Sequence, residues 1–131
     1  MKKNNENSKV RTNVITILEN YKKYKTLIDL NNKKNYISNE ELNDFFIKNI
    51  HIYVLYVESA FELLKQSEKR LIQNKLSAKK TVDQQCKELN ITTSTYYDKW
   101  KKIYENLDAS FYFYKIYALN EELEKNNPAI K

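Results

Sequence analysis

The sequence contains no glycine, and its single proline, Pro128, lies close to the C-terminus. A β-rich protein of this size would need glycine, proline or Asn-Gly pairs at its tight turns. Helical proteins need far fewer such residues. The sequence therefore predicts an all-α fold. Together with the motifs described below, it predicts a helical bundle with a C-terminal helix-turn-helix and a long final helix.

The lack of glycine also excludes one large class of nucleotide-dependent enzymes. Phosphate loops of the Walker and dinucleotide-binding types use glycine so that the backbone can approach the phosphates closely. The acidic residues mostly alternate with lysines on helix faces, which is typical of solvated surfaces and not of paired catalytic carboxylates. We therefore expect a protein that is not an enzyme and that needs no cofactor.

Cysteine and histidine each occur once, as Cys86 and His51. A single cysteine allows neither an intramolecular disulfide nor a cysteine-based zinc site, so we expect Cys86 to be a small core residue and His51 an ordinary helix residue. The apolar run from Ile52 to Val57 is too short to span a bilayer, and the first residues lack the apolar stretch of a signal peptide. The predicted location is cytoplasmic, with no membrane partner.

Positive charge is concentrated in one part of the chain. The 23 Lys and Arg residues exceed the 17 Asp and Glu residues by six. Between Glu68 and Lys102, nine basic residues stand against four acidic ones, which gives this stretch +5 of the net +6. Lysines placed on phosphates release counterions, so such a surface predicts nucleic-acid binding that weakens with salt.

The sequence suggests a disordered tail over 1–9, an N-terminal helical part over 10–64, a helix-turn-helix DNA-binding part over 65–124 and a loose tail over 125–131. Apolar residues recur every three or four positions in the N-terminal part, as expected for two helices. They are Val14, Ile17, Leu18, Tyr21 and Ile28, and then Leu42, Phe45, Phe46, Ile50, Tyr53, Val57, Phe61 and Leu64. The polar run 31–35 is the predicted loop between them, and a capping box at 38–41 is the predicted start of the second helix.

A second capping box is formed by Thr81 and Gln84, three residues apart. The helix that it opens carries Val82, Cys86 and Leu89 on one face. It should end near Asn90, because asparagine tolerates the left-handed conformation needed at a sharp turn.

After that turn, Ile91 is predicted to enter the core and Thr92 to cap a second helix. The inner stripe of this helix is predicted to be Tyr96, Trp100, Ile103, Tyr104 and Leu107. Two helices joined by about three residues, with a small residue in the first, are typical of the helix-turn-helix. Gln85 and Lys99 depart from the pattern because apolar residues are frequent at both positions, and Trp100 is expected to replace Lys99 in the packing.

In a helix-turn-helix, the second helix enters the major groove. Its exposed start offers hydroxyls for phosphates or base edges, and methyl or ring surface for thymine methyl groups. Neither Arg nor Gln lies there, which favours A·T-rich sequence or backbone contacts. The predicted DNA-binding residues are Lys79, Lys80, Thr92, Thr93, Ser94, Thr95, Tyr97, Asp98, Lys101 and Lys102.

The segment 111–117 is unusually aromatic, with Phe111, Tyr112, Phe113, Tyr114 and Tyr117. Most of these rings are expected in the core. Their number exceeds what one helical stripe can bury, so a homodimer seam or a partner surface is the alternative.

The order of these features resembles two groups of transcription proteins. Leu64 to Ile72 followed by Val82 to Leu107 resembles region four of bacterial sigma factors. The layout over roughly 14–120 is similar to the ArpU/RinA-type phage late-gene regulators, in Leu18–Lys25, the Lys79-Lys80 connector and Ile91–Tyr97. The resemblance implies activation of late operons of a phage or mobile element by promoter binding. It also implies RNA polymerase as a partner, although the chain has no recognisable sigma region two.

The resulting hypothesis is a sequence-specific transcription regulator that binds double-stranded DNA. One alternative is a small terminase subunit, a basic helical protein that marks DNA for packaging and forms rings. Another is an interaction protein or anti-regulator whose helix-turn-helix no longer binds DNA.

Overall fold

The computed structural model describes residues 2–34, 44–77 and 79–126, and its regular elements are all helices, which confirms the all-α prediction. In chain order they are α1 Lys2–Lys34, α2 Asp44–Glu62, α3 Gln66–Ser77, α4 Val82–Leu89, α5 Thr93–Phe113 and α6 Ile116–Lys125.

Helix α1 is longer at both ends than the sequence predicted. It begins at Lys2, inside the predicted tail 1–9, and continues to Lys34, through most of the predicted loop 31–35. The stretch contains neither glycine nor proline, and lysine and glutamate are good helix formers, so no residue forces the helix to end. Asn35, the capping box at 38–41 and residues 127–131 lie outside the described residues.

The first two helices bury the apolar stripes that the sequence indicated. Val14, Ile17 and Leu18 of α1 are at most 1% exposed. Tyr24, which the sequence reasoning omitted, is equally buried, and its ring meets that of Tyr53 edge-on at 5.1 Å. The prediction for Leu42 and for the Phe45 side chain lies outside the described residues.

Helix α5 packs against each of the other five helices. Five of its side chains are buried at three- and four-residue spacing: Tyr96, Trp100, Ile103, Leu107 and Phe111. Helix α4, in contrast, has α5 as its main packing partner. The position of α4 is therefore set largely by α5.

The predicted long final helix is wrong, because α5 ends at Phe113 and the last helix is a separate, short one. Lys115 has φ of 59°, and the ten-residue α6 follows. With this turn Ile116 and Leu123 are completely buried, and the Tyr117 hydroxyl lies 2.6 Å from Asp108 Oδ1. A straight continuation of α5 would leave these apolar groups in water.

A buried polar cluster joins α1, α2 and α6. The Tyr53 hydroxyl lies 3.2 Å from the Ile17 carbonyl and 3.1 Å from Asn120 Oδ1. Asn20 donates to the same Asn120 oxygen at 2.7 Å. Burial raises the pKa of Tyr53, so its hydroxyl stays protonated. Sequence periodicity indicated Tyr53 as an apolar core residue but gave no sign of these polar contacts.

Replacing Tyr53 by Phe tests this cluster. The ring remains, but the hydroxyl bonds are lost, so we expect the free energy of unfolding to fall by about 1 kcal/mol. Urea denaturation followed by circular dichroism measures the change. Tyr112→Phe is the matched control. Tyr112 is 65% exposed, so loss of its hydroxyl should leave the free energy of unfolding unchanged. Equal midpoints for Tyr53→Phe and the wild type would contradict the role of the hydroxyl.

Candidate nucleic-acid interface

Helix α4 begins with the capping box that the sequence predicted. Thr81 Oγ1 accepts from the Gln84 N–H at 3.1 Å, and Gln84 Oε1 accepts from the Thr81 N–H at 2.9 Å. Two backbone N–H groups are thereby satisfied, one of them among those that a helix start leaves unpaired. The box fixes where α4 begins relative to the basic connector before it.

The turn between α4 and α5 also follows the prediction. Asn90 adopts the left-handed conformation, with φ of 54° and ψ of 48°. The Ile91 N–H then donates to the Cys86 carbonyl at 3.0 Å, and the Ile91 side chain packs against the core. Thr92 caps α5 by accepting from the Thr95 N–H at 3.1 Å. Three residues, 90–92, thus separate the two helices.

Gln85 occupies an interior position that the sequence reasoning treated only as a departure from a pattern. Its side chain is 4% exposed. Its Nε2 donates to the Lys80 carbonyl at 3.2 Å, and its Oε1 lies 3.4 Å from the Tyr96 hydroxyl. Gln85 thereby joins the connector, α4 and α5. The sequence did contain a signal for the contact between Gln85 and Tyr96. A glutamine stands at a usually apolar position, and a tyrosine lies on the inner stripe of the next helix.

All ten predicted DNA-binding residues are exposed in the structure. Ser94, Tyr97 and Lys101 follow one another at three- and four-residue spacing, so they share one face of α5. Tyr97 is 59% exposed. Trp100 is buried and Lys99 is only half-buried, which confirms that Trp100 takes the inward position.

Contacts within the protein restrict four of these ten side chains. The Thr92 hydroxyl caps α5 and lies 3.1 Å from Thr95 Oγ1, so Thr92 has a structural role. Lys80 Nζ forms an ion pair with Glu88 at 2.8 Å. The Tyr97 ring packs edge-on against the Tyr96 ring, with centroids 5.2 Å apart. These contacts position Lys80 and Tyr97 without burying them.

The start of α5 is electropositive. Its first turn contains no acidic residue, and Asp98 follows in the second turn, so no carboxylate within the first turn offsets the positive end of the helix dipole. Backbone N–H groups at such an end bind anions, including phosphates. The lysines of the connector lie just before α4, and Lys101 and Lys102 lie between two and three turns into α5. The local field therefore favours a polyanion.

A groove of about 770 Å³ lies beside this surface. It is bounded by the first part of α1, the end of α3, the connector, α4 and α5. Arg11 and Lys75 contribute to it along with Lys80 and Lys101. The sequence reasoning missed Arg11 as a site residue, and no local signal could have found it, because only tertiary packing brings α1 to α5.

A metal site and a membrane span each set requirements on the described residues. Over 2–34, 44–77 and 79–126, no group of three His, Cys, Asp or Glu side chains could hold a metal ion. Within the same ranges, no helix has the length and apolar character needed to cross a membrane.

No protein-family model, curated protein or solved structure matches this chain. The resemblance to phage late-gene regulators therefore stays a prediction. The geometry and charge that suggest a function belong to the α4–turn–α5 unit, residues 81–113.

Asn90 offers a direct test of how this unit is held. A β-branched residue at φ of 54° is strained, so Asn90→Val should lower the free energy of unfolding by about 1–2 kcal/mol. Asn90→Gly, the matched control, has no Cβ and should retain or exceed wild-type stability. Thermal and urea denaturation of both variants measure the effect. Wild-type stability of the valine variant would mean that this turn does not need the left-handed conformation.

Proposed function

We propose that the protein is a sequence-specific double-stranded DNA-binding regulator of transcription, with the first half of α5 as its reading element. The observation that best supports this proposal is that α5 has both a buried stripe and an exposed face. Tyr96, Trp100 and Ile103 are in the core, whereas Ser94, Tyr97 and Lys101 are exposed. The exposed face begins at an uncompensated helix N-terminus and is flanked by lysines. This combination suits insertion into the major groove.

The exposed side chains divide into two roles. Lys79, Lys80 and Lys102 are suited to contact backbone phosphates on either side of the groove, which positions the protein but carries no sequence information. Thr93, Ser94 and Thr95 can bind phosphates or base edges through their hydroxyls. Tyr97, Asp98 and Lys101 lie farther along the same helix, where contacts with base edges supply specificity.

The chemistry of the reading face favours A·T-rich sequence. Arginine, which pairs bidentately with guanine, is absent from the start of α5, as is glutamine. Threonine methyl groups and the Tyr97 ring offer apolar surface to thymine methyl groups. Activation of late genes of a phage or mobile element, and contact with RNA polymerase, rest on the resemblance of the sequence to the ArpU/RinA-type regulators.

The double substitution Tyr97→Ala with Lys101→Ala tests the assignment. Both side chains are exposed, so helicity should persist while affinity for the selected duplex falls on the order of 100-fold. Fluorescence anisotropy at two salt concentrations measures binding to duplexes selected from a random pool. Lys22→Ala with Lys23→Ala is the control, since it removes two exposed lysines of α1.

Unchanged affinity in a well-folded Tyr97/Lys101 variant would contradict the reading role of α5. If the wild-type protein has no salt-dependent affinity for any duplex, the DNA-binding proposal fails. The alternative of an interaction protein is then favoured.

Exposed aromatic rings at the C-terminal end of α5 form a candidate interface with a second copy of the chain. Phe111 is in the core, as expected for this segment, but Phe113 is 78% exposed and Tyr112 is 65% exposed. The Phe113 ring lies 5.2 Å from that of Tyr114, which stacks on Tyr56 of α2 at 5.8 Å. Such clustered exposed rings are typical of an interface. We propose a homodimer through this surface, because a two-fold axis suits paired DNA half-sites.

Phe113→Ser should convert this dimer to a monomer, because it replaces the most exposed ring of the surface with a small polar group. Multi-angle light scattering measures the mass of each variant. Leu63→Ser is the control, since Leu63 is also well exposed but lies just after the end of α2, outside the aromatic segment. A monomeric wild type would refute the dimer, and a ring of eight or more chains would favour the small terminase subunit instead.

A further inference from the structure

The groove beside the α4–turn–α5 unit has a continuous aromatic wall. The Tyr96 ring lies 5.2 Å from that of Tyr97 and 6.5 Å from that of Trp100. The Trp100 ring is in turn 5.2 Å from that of Tyr104, at an interplanar angle of 33°. All four residues line the groove. Tyr97 is the well-exposed ring among them, whereas Tyr96 and Trp100 are buried. A flat heterocycle can stack on an exposed ring without regard to base identity, because every base has a π-face.

The same groove is strongly cationic. Arg11, Lys75, Lys80 and Lys101 line it, and Glu105 is the acidic residue among its lining side chains. Lys80 is paired with Glu88. Within the described residues, Arg11, Lys75 and Lys101 form no ion pair, and Lys75 Nζ lies 5.4 Å from the centre of the Trp100 ring. Positive charge therefore borders the ring surface directly.

A polar donor in the groove lacks a partner. Asn74 lines it, and among the described residues Asn74 Nδ2 is a buried nitrogen with no hydrogen bond. A buried unpaired amide is costly, and a ligand oxygen or ring nitrogen would satisfy it. Gln85 also lines the groove, but its amide is already bonded to Lys80 and Tyr96.

We infer that this groove binds one nucleotide, with its base on the exposed Tyr97 ring and its phosphate near Arg11 and Lys75. The volume of about 770 Å³ lies in the range typical of small-molecule sites. A neutral aromatic ligand would leave the cations uncompensated, and inorganic phosphate would leave the rings uncovered. The required chemistry is shared by a free mononucleotide and by one unit of a single strand. Side-chain cations hold the phosphate, so no glycine loop is needed.

Nucleotide binding has a consequence for the proposed DNA interface. Tyr97 and Lys101 line the groove and also belong to the proposed reading face. A nucleotide bound there competes with duplex DNA for both side chains. This consequence rests on the proposed function, whereas nucleotide binding itself does not.

Trp100 is the single tryptophan of the chain and lines the groove, so its fluorescence reports on binding there. The full chain, without duplex DNA, is titrated with the four 5′-nucleoside monophosphates, a single-stranded tetranucleotide, adenosine and inorganic phosphate. Tryptophan fluorescence and isothermal titration calorimetry follow binding. We expect saturable binding of a monophosphate or of the tetranucleotide, at least tenfold tighter than that of adenosine or phosphate.

Arg11→Ala should weaken this binding at least tenfold, and Lys22→Ala, an exposed lysine of the same helix, should not change it. Saturation by a monophosphate identifies a free nucleotide as ligand, and saturation by the tetranucleotide alone identifies a strand unit. Failure of both to bind, or equal affinity of Arg11→Ala and the wild type, would overturn the inference. Nucleotide binding by a protein without duplex affinity would overturn the proposed function alone.

Discussion

Helix α5 packs against each of the other five helices, and burial of its inner stripe orients every group that it carries. Because consecutive helical residues are rotated by about 100°, an inward Trp100 places Tyr97 about 60° and Lys101 about 100° away around the helix axis, beside the buried stripe. The direction in which these exposed side chains point is therefore set by the hydrophobic packing next to them. A change that rotated Trp100 out of the core would also displace the groove and the basic surface beside it.

The lack of glycine shapes how helices end in this chain. In the described residues, positive φ occurs at Asn90 and Lys115, which lie in the turns before α5 and before α6. A side chain at such a position has an unfavourable contact between its Cβ and the backbone. Asparagine reduces that cost and lysine does not, so the Lys115 turn depends on tertiary contacts. Burial of Ile116 and Leu123 in α6 provides them.

The parts of the fold that the sequence predicted correctly are those decided within a few residues. The Thr81–Gln84 box, the left-handed Asn90 and the Thr92 cap all depend on neighbours at most four positions away. The turn at Lys115 was missed because its cause lies in the core and not in turn-forming residues. The position of Arg11 beside α5 was missed because no sequence pattern relates the two segments.

The length of α5 relates the two surfaces that it carries. From Thr93 to Phe113 the helix rises roughly 30 Å, so its basic start and its aromatic end are separated by nearly the full length of a small domain. In the proposed homodimer, two copies joined at their Phe113 ends would hold the faces proposed to read DNA at most about 60 Å apart. Half-sites one DNA turn apart, about 34 Å, would then require the two α5 axes to meet at roughly 70°. A V-shaped dimer is thus the arrangement in which the aromatic surface and the basic surface could serve one DNA site together.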